Sequence, residues 1–422
     1  MMKYVFAIYS MVVLVLLARA ELKTWSMLDS GLRLQKSKEP KQAEVLQYDL
    51  STEDKKESLS TYRRDNRRSG HHEVDASGFT PFQILWQVAE VNNGIHRASK
   101  SSPAADEQGF YVADDTGFLR TYDWQGRLRW QFYSGVSPRG MHSTPLTDKD
   151  SVYIGDYAGY VYALNKENGK LRWITKAGTT VGSSPFMHNG ILYVGIELPE
   201  PEGFLLALEA KTGKWAWTSP LIGNHPHSSP TLDVPNAQIL MGSNTGAMVA
   251  YDLKNGKPKW SFATNDDIKC AAAIHGGSAY FTSWDGFLYS LNTTTGLLQY
   301  RLPLDGSAMS CPSINKDGTL IAVTGFNKNF VVHGPSGKIV WSSEIKGLKS
   351  RAQSSPLVIS YTQQEVAVFL CEEKALCVHD LHSGKVLQEI KMESPFSGSP
   401  VYFKNHLFIS TSGKDGLLVL KN

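Results

Sequence analysis

From about residue 82 onward the chain alternates apolar and polar residues in short runs that come in pairs. FYVAD is followed by FLRTYDW, VYIGD by YVYALN and AYFTS by FLYSLN, with Gly- or Asn-containing turns around them. Period-two alternation broken by such turns predicts short antiparallel strands. The pairs also recur. Gly126, Gly169, Gly213, Gly256, Gly296, Gly337 and Gly384 are separated by 43, 44, 43, 40, 41 and 47 residues, and a period of this size predicts a repeat fold. Four residues after each glycine stand Trp130, Trp173, Trp217, Trp260, Tyr300, Trp341 and, breaking the pattern, Gln388.

A second set of marks runs in step. SSP, STP, SSP, SSP, KCA, SCP, SSP and GSP put Ser102, Thr144, Ser184, Ser229, Cys270, Cys311, Ser355 and Ser399 at equivalent points. Each unit then supplies four strands, the first at the Ser-Pro mark and the last carrying the aromatic. The chain ends at GLLVLKN after three strands of an eighth unit, and the missing strand is FQILWQVAE at 82–90, with Trp86 in the expected place. The prediction is an all-β, eight-bladed propeller over residues 81–422, closed by pairing 82–90 with the last three strands, which removes the open sheet edge. In it the rings wedge between neighbouring blades, and glycine supplies the positive φ of a hairpin turn. Gln388 would then mark the weakest seam, and Gln388→Trp would stabilise it. The nearby Cys371 and Cys377 could close a disulfide in an oxidising compartment. Cys270 and Cys311 fall on matching strands of adjacent blades, as a second pair or as buried thiols.

The phrases ALNKENGKLRW, ALEAKTGKWAW and AYDLKNGKPKW resemble the tryptophan-docking motif of quinoprotein-type eight-bladed propellers, the repeats named after pyrroloquinoline quinone. TYRRDNRRSG at 61–70 is similar to the segment that often precedes such propellers. The resemblance implies one of two functions. One branch contains quinone-dependent alcohol dehydrogenases, which use pyrroloquinoline quinone and calcium. The other contains scaffolds without a cofactor, such as the BamB-like propeller of the outer-membrane barrel-assembly machine. Here no cysteines are adjacent, calcium ligands cannot be assigned, and only ELPEPEG at 197–203 looks like an insertion. The expectation is therefore a monomeric binding or scaffolding protein with no cofactor, and a quinone-dependent oxidoreductase acting on an alcohol or sugar is the alternative.

Charge and composition add an address. Lys3, an apolar run from Val5 to Leu17 and Ala18-Arg19-Ala20 read as a signal peptide over residues 1–20, placing the mature chain in the periplasm or outside the cell. Residues 21–80 are polar and charged, a partly flexible lead-in that includes His71 and His72. With 43 basic and 40 acidic residues, nothing points to nucleic acid; a protein partner in the envelope is expected instead. Loops joining successive blades share one face, and they would bring Arg97, Lys100, Arg139, His142, His225, His227, Lys269, Lys349 and Arg351 to a basic channel mouth suited to a carboxylate or acidic peptide. His225 and His227 invite a metal, with His142 as third ligand. Those loops are a whole blade apart, so no metal site is assigned. No catalytic residue is assigned either.

Overall fold

The computed structural model describes residues 61–91, 101–135, 140–223, 225–348, 354–396 and 398–422; residues 1–20, expected to be a signal peptide, and residues 21–60 lie outside the described residues. The strands form eight sheets. Blade 1 consists of Ala104–Asp106, Gly109–Ala113, Phe118–Tyr122 and Leu128–Tyr133, innermost strand first. Blades 2 to 7 repeat it, beginning at Leu146, Phe186, Thr231, Ala273, Ser313 and Leu357. Blade 8 combines Val401–Phe403, His406–Ser410 and Leu417–Lys421 with Gln83–Val88 from the other end of the chain. The closing pair is antiparallel, with Trp86 opposite Val419. Middle strands such as Ser151–Gly155 are buried along their whole length, because each blade is covered by a neighbour on both faces.

The recurring phrase has a mechanical explanation. In each blade the outermost pair slips register one residue before the aromatic position, as at Leu171/Trp173 and Ile84/Trp86. Such a bulge re-aims the following side chain. The ring then lies on the glycine of the next blade. A Cβ added to Gly169 would stand 2.5 Å from Trp130, and one on Gly337 would stand 2.6 Å from Tyr300. Most of the indoles also donate N–H to the carbonyl three residues before that glycine: Trp130 to Lys166 at 2.9 Å, Trp173 to Ala210 at 2.9 Å, Trp260 to Thr293 at 2.8 Å and Trp341 to Leu381 at 2.7 Å. Glycine is thus required twice, for φ near +69° at Gly169 and as the seat of a ring.

Around the channel the Ser-Pro marks form a belt. The N–H of Ser102 donates to Thr144 Oγ1 at 3.0 Å, Thr144 to Ser184 Oγ at 2.9 Å, and Ser184 to Ser229 Oγ at 2.9 Å. Beyond the cysteines, Cys311 donates to Ser355 Oγ, Ser355 to Ser399 Oγ, and Ser399 back to Ser102 Oγ at 3.3 Å. Where Cys270 replaces the hydroxyl, Ala271 N–H donates to Cys311 Sγ at 3.1 Å. Cys270 and Cys311 are buried free thiols, whereas Cys371 and Cys377 are disulfide-bonded.

Gln388 is not a defective wedge. Its Oε1 accepts from Phe82 N–H at 2.8 Å and its Nε2 donates to Phe82 O at 2.7 Å. Blade 8 has no hairpin on which a ring could sit, because its third and fourth strands, Leu417–Lys421 and Gln83–Val88, come from separate parts of the chain. An amide that pairs with peptide groups fits that break. Gln388→Trp is therefore expected to destabilise, the reverse of the expectation from sequence. Losing two hydrogen bonds costs about 2 kcal/mol, read as a lowered midpoint of chemical unfolding. A raised midpoint would show that an indole finds a seat there.

Candidate functional site

The innermost strand of a blade presents unpaired peptide groups to the channel, and buried peptide groups must find partners. Residues 61–74 supply them. Leu232, Ile274, Ile314 and Val358, on the inner strands of blades 4 to 7, donate N–H to the carbonyls of Asn66, Arg67, Ser69 and Gly70. Side chains take the carbonyls left over. Arg63 donates to Pro356 O at 2.6 Å and Pro312 O at 2.7 Å, Asn66 to Met187 O at 2.9 Å, and Arg68 to Pro230 O, Ser184 O and Pro185 O at 3.0–3.1 Å. The chain winds tightly to do this, with positive φ at Arg63, Arg64, Arg68 and Gly70. A Cβ on Gly70 would meet Arg63 Nη2 at 2.3 Å.

The polar composition of 61–74 is thus that of a channel plug. His71–Glu73 continues it as a parallel fifth strand on the inner edge of blade 7, with His71 Nε2 2.8 Å from Ser360 Oγ. His71 and His72 are buried rather than solvated, and burial lowers the His71 pKa to about 4 and that of His72 well below its ordinary value. Phe82, at the end of the segment, packs into the core shared by blades 7 and 8.

Above the plug lies a cavity of about 70 Å³, lined among others by Tyr62, His142, Tyr157, His227, Lys269 and Cys311. Of the described residues expected at the basic mouth, His142, His227 and Lys269 line this cavity and His225 is not among its lining residues. Arg97, Lys100, Arg139, Lys349 and Arg351 lie outside the described residues. Lys269 is less available than expected: its ammonium stands 3.1 Å from Asp267 Oδ2 and 4.3 Å above the Trp284 ring. The His142 and Tyr157 rings are 4.2 Å apart. The Tyr62 hydroxyl is 3.4 Å from Cys311 Sγ. Burial alone would raise the Cys311 pKa, but hydrogen bonding by Cys270 and the Arg63 charge hold it below its ordinary value.

Sequence reasoning missed Glu197. Its carboxylate is buried and meets His227 Nδ1 at 2.9 Å and His225 Nδ1 at 3.7 Å. The signal was available, since Glu197 opens the ELPEPEG insertion. The two histidines therefore gather on Glu197, and His142 is not their third partner.

This fold and channel define a quinoprotein-type propeller. A family model described as outer membrane protein assembly factor BamB matches residues 115–269 and 267–419, and the chain belongs to that family. It is 24% identical over 362 residues to an outer membrane protein assembly factor BamB from Burkholderia pseudomallei, covering 79% of this chain and 87% of that protein. It is also 27% identical over 198 residues to a quinohemoprotein alcohol dehydrogenase from Pseudomonas putida, covering 38% of this chain and only 27% of the enzyme's length. Among solved structures, a europium-containing methanol dehydrogenase aligns with a TM-score of 0.71 at 12% identity, over 86% of this chain and 98% of that one, a likeness of fold alone.

Proposed function

We propose that this protein is an exported scaffold of envelope protein assembly, acting in the periplasm and binding a protein partner through the loops on its blade faces. The observation that carries this reading is the self-filled channel. Residues 61–74 use their hydrogen-bonding groups on blades 3 to 7, so the surface left for recognition is the loop face. The family match to an outer-membrane assembly factor supports the same reading, and among the described residues no helix is long and apolar enough to cross a membrane.

The similarity to an alcohol dehydrogenase favours a second reading, a quinone-dependent oxidoreductase. The described residues do not fit its cofactors. Pockets for ligands of that size span about 300–1,000 Å³, against a cavity of about 70 Å³. Calcium takes six to eight oxygen ligands, carboxylates prominent among them, whereas the described cavity wall offers imidazoles, a thiol, a lysine and the hydroxyls of Tyr62, Tyr157, Ser355 and Ser399 but no carboxylate.

The test is cross-linking in envelope preparations, with photoreactive residues placed on the loop face. The expected result is capture of a component that assembles outer-membrane β-barrels. Dye-linked alcohol oxidation after adding quinone and calcium to the purified chain, with no such capture, would replace this reading with the oxidoreductase.

A further inference from the structure

Blade 3 carries a longer middle hairpin than blade 2, and the end of that hairpin faces two histidines. Its middle strands, Ile191–Glu197 and Glu202–Glu209, have seven and eight residues, against five and six in blade 2. An extra strand, Ile222–Gly223, pairs with the second of them. Glu197 is held at the end of its strand by its own backbone. Its N–H donates to Thr180 O at 3.0 Å, and its carbonyl accepts from Thr179 N–H and Oγ1, both at 2.8 Å.

On the loop that leaves blade 3, His225-Pro226-His227 is equally fixed. His227 N–H donates to His225 O at 3.0 Å, and Asn244 N–H to the same carbonyl at 3.2 Å. Pro226 sits in a slot that only glycines leave open: a Cβ on Gly195 would stand 3.1 Å from Pro226 O, and one on Gly203 would stand 2.3 Å from Pro226 Cδ. The proline is thereby seated, and the imidazoles on either side of it turn toward Glu197. His227 Nδ1 is 2.9 Å from Oε1, and His225 Nδ1 is 3.7 Å from Oε2 and 3.9 Å from Glu200 Oε1. One ligand atom from each of Glu197, His225 and His227 lies within 4.8 Å of the others.

We propose that Glu197, His225 and His227 bind a divalent transition metal ion at the wall of the channel cavity. Two donors each about 2 Å from one ion stand roughly 3–4 Å apart; the two imidazole–carboxylate separations are 2.9 and 3.7 Å, and all three ligand atoms lie within 4.8 Å of one another. Two imidazoles and a carboxylate suit zinc or a neighbouring first-row ion; calcium and magnesium prefer oxygen alone. Three protein ligands leave a coordination position open, and His227 also lines the cavity whose wall includes Tyr157 and Lys269. Glu200, with its side chain 80% exposed, is near enough to approach the ion from the solvent side.

The test uses the full chain, stripped with a chelator and titrated with Co²⁺ and Zn²⁺. One equivalent is expected to bind, with visible absorption from the cobalt form and a higher unfolding midpoint with zinc. His227→Asn and Glu197→Gln are each expected to weaken binding more than the roughly 10–100-fold that losing an outer-shell partner costs. His142→Asn and His406→Asn should leave it unchanged. If His227→Asn fails to fold, as judged by circular dichroism, His225→Gln takes its place. Binding unaffected by the ligand substitutions would assign the metal to other histidines and overturn the proposal. So would a cluster whose substitutions lower stability equally with and without metal, the behaviour of a plain imidazole–carboxylate ion pair.

Discussion

Replacing Arg68 with methionine is expected to release residues 61–74 from the channel while the ring of blades stays closed. Arg68 is fully buried and donates five hydrogen bonds, to Pro230 O, Ser184 O, Pro185 O, Tyr62 O and Thr61 Oγ1. Burial lowers its pKa to about 10, so it is charged at neutral pH. Methionine fills much of the volume and makes none of these bonds. Each buried carbonyl left without a donor costs about 1–3 kcal/mol, so the loss falls in the range of several kcal/mol. Each blade keeps four strands that are not part of the plug, so the loss is expected to be confined to the segment. Hydrogen exchange reads this directly, because Leu232, Ile274, Ile314 and Val358 donate to plug carbonyls. Those four amides should lose protection together, one on each of four blades, while middle-strand amides such as Ile239 stay protected. Unchanged exchange at all four would mean that the segment is held without Arg68.

The second large effect concerns a seam. Trp130→Ala is expected to destabilise the propeller by about 3–5 kcal/mol, the usual cost of truncating a buried aromatic to alanine. The ring is 8% exposed, donates to Lys166 O and covers Gly169. Gly169→Ala attacks the same contact from the other side. Its Cβ would enter the ring at 2.5 Å with φ at +69°, so it too should lower the unfolding midpoint. Because the two substitutions break one contact, the double variant should cost less than their sum. Strict additivity in chemical unfolding would show that ring and glycine act separately.

These contacts explain how much of the molecule was legible in the chain. Blade number, blade boundaries and the closing strand follow from the spacing of glycine and aromatic residues, because every blade meets the same requirement from its neighbours. The aromatic pattern even marked its own exception correctly, since position 388 is where the ring ends. What an amide does there could not be read, because the peptide groups of Phe82 that it pairs with lie 306 residues away. The Cys371–Cys377 bond spans a single hairpin, so sequence proximity was enough to suggest it.

The site was harder to read for the same reason. His225 and His227 stood out as a pair, but their partner Glu197 lies on a middle strand of blade 3, and the pairing of Ile222–Gly223 with that blade brings the loop that follows back to it. Residues 61–74 are the clearest case. Arginine, asparagine and serine in such density suit a solvated segment as well as a buried one, and composition cannot tell them apart. By itself, the sequence determined everything that repeats: strands, turns, wedges and the count of blades, all of which depend on neighbours at a fixed interval. The tertiary structure alone decided the plug, the Gln388 latch and the Glu197 cluster, because each joins groups outside the repeat interval whose burial and partners exist only in the folded chain.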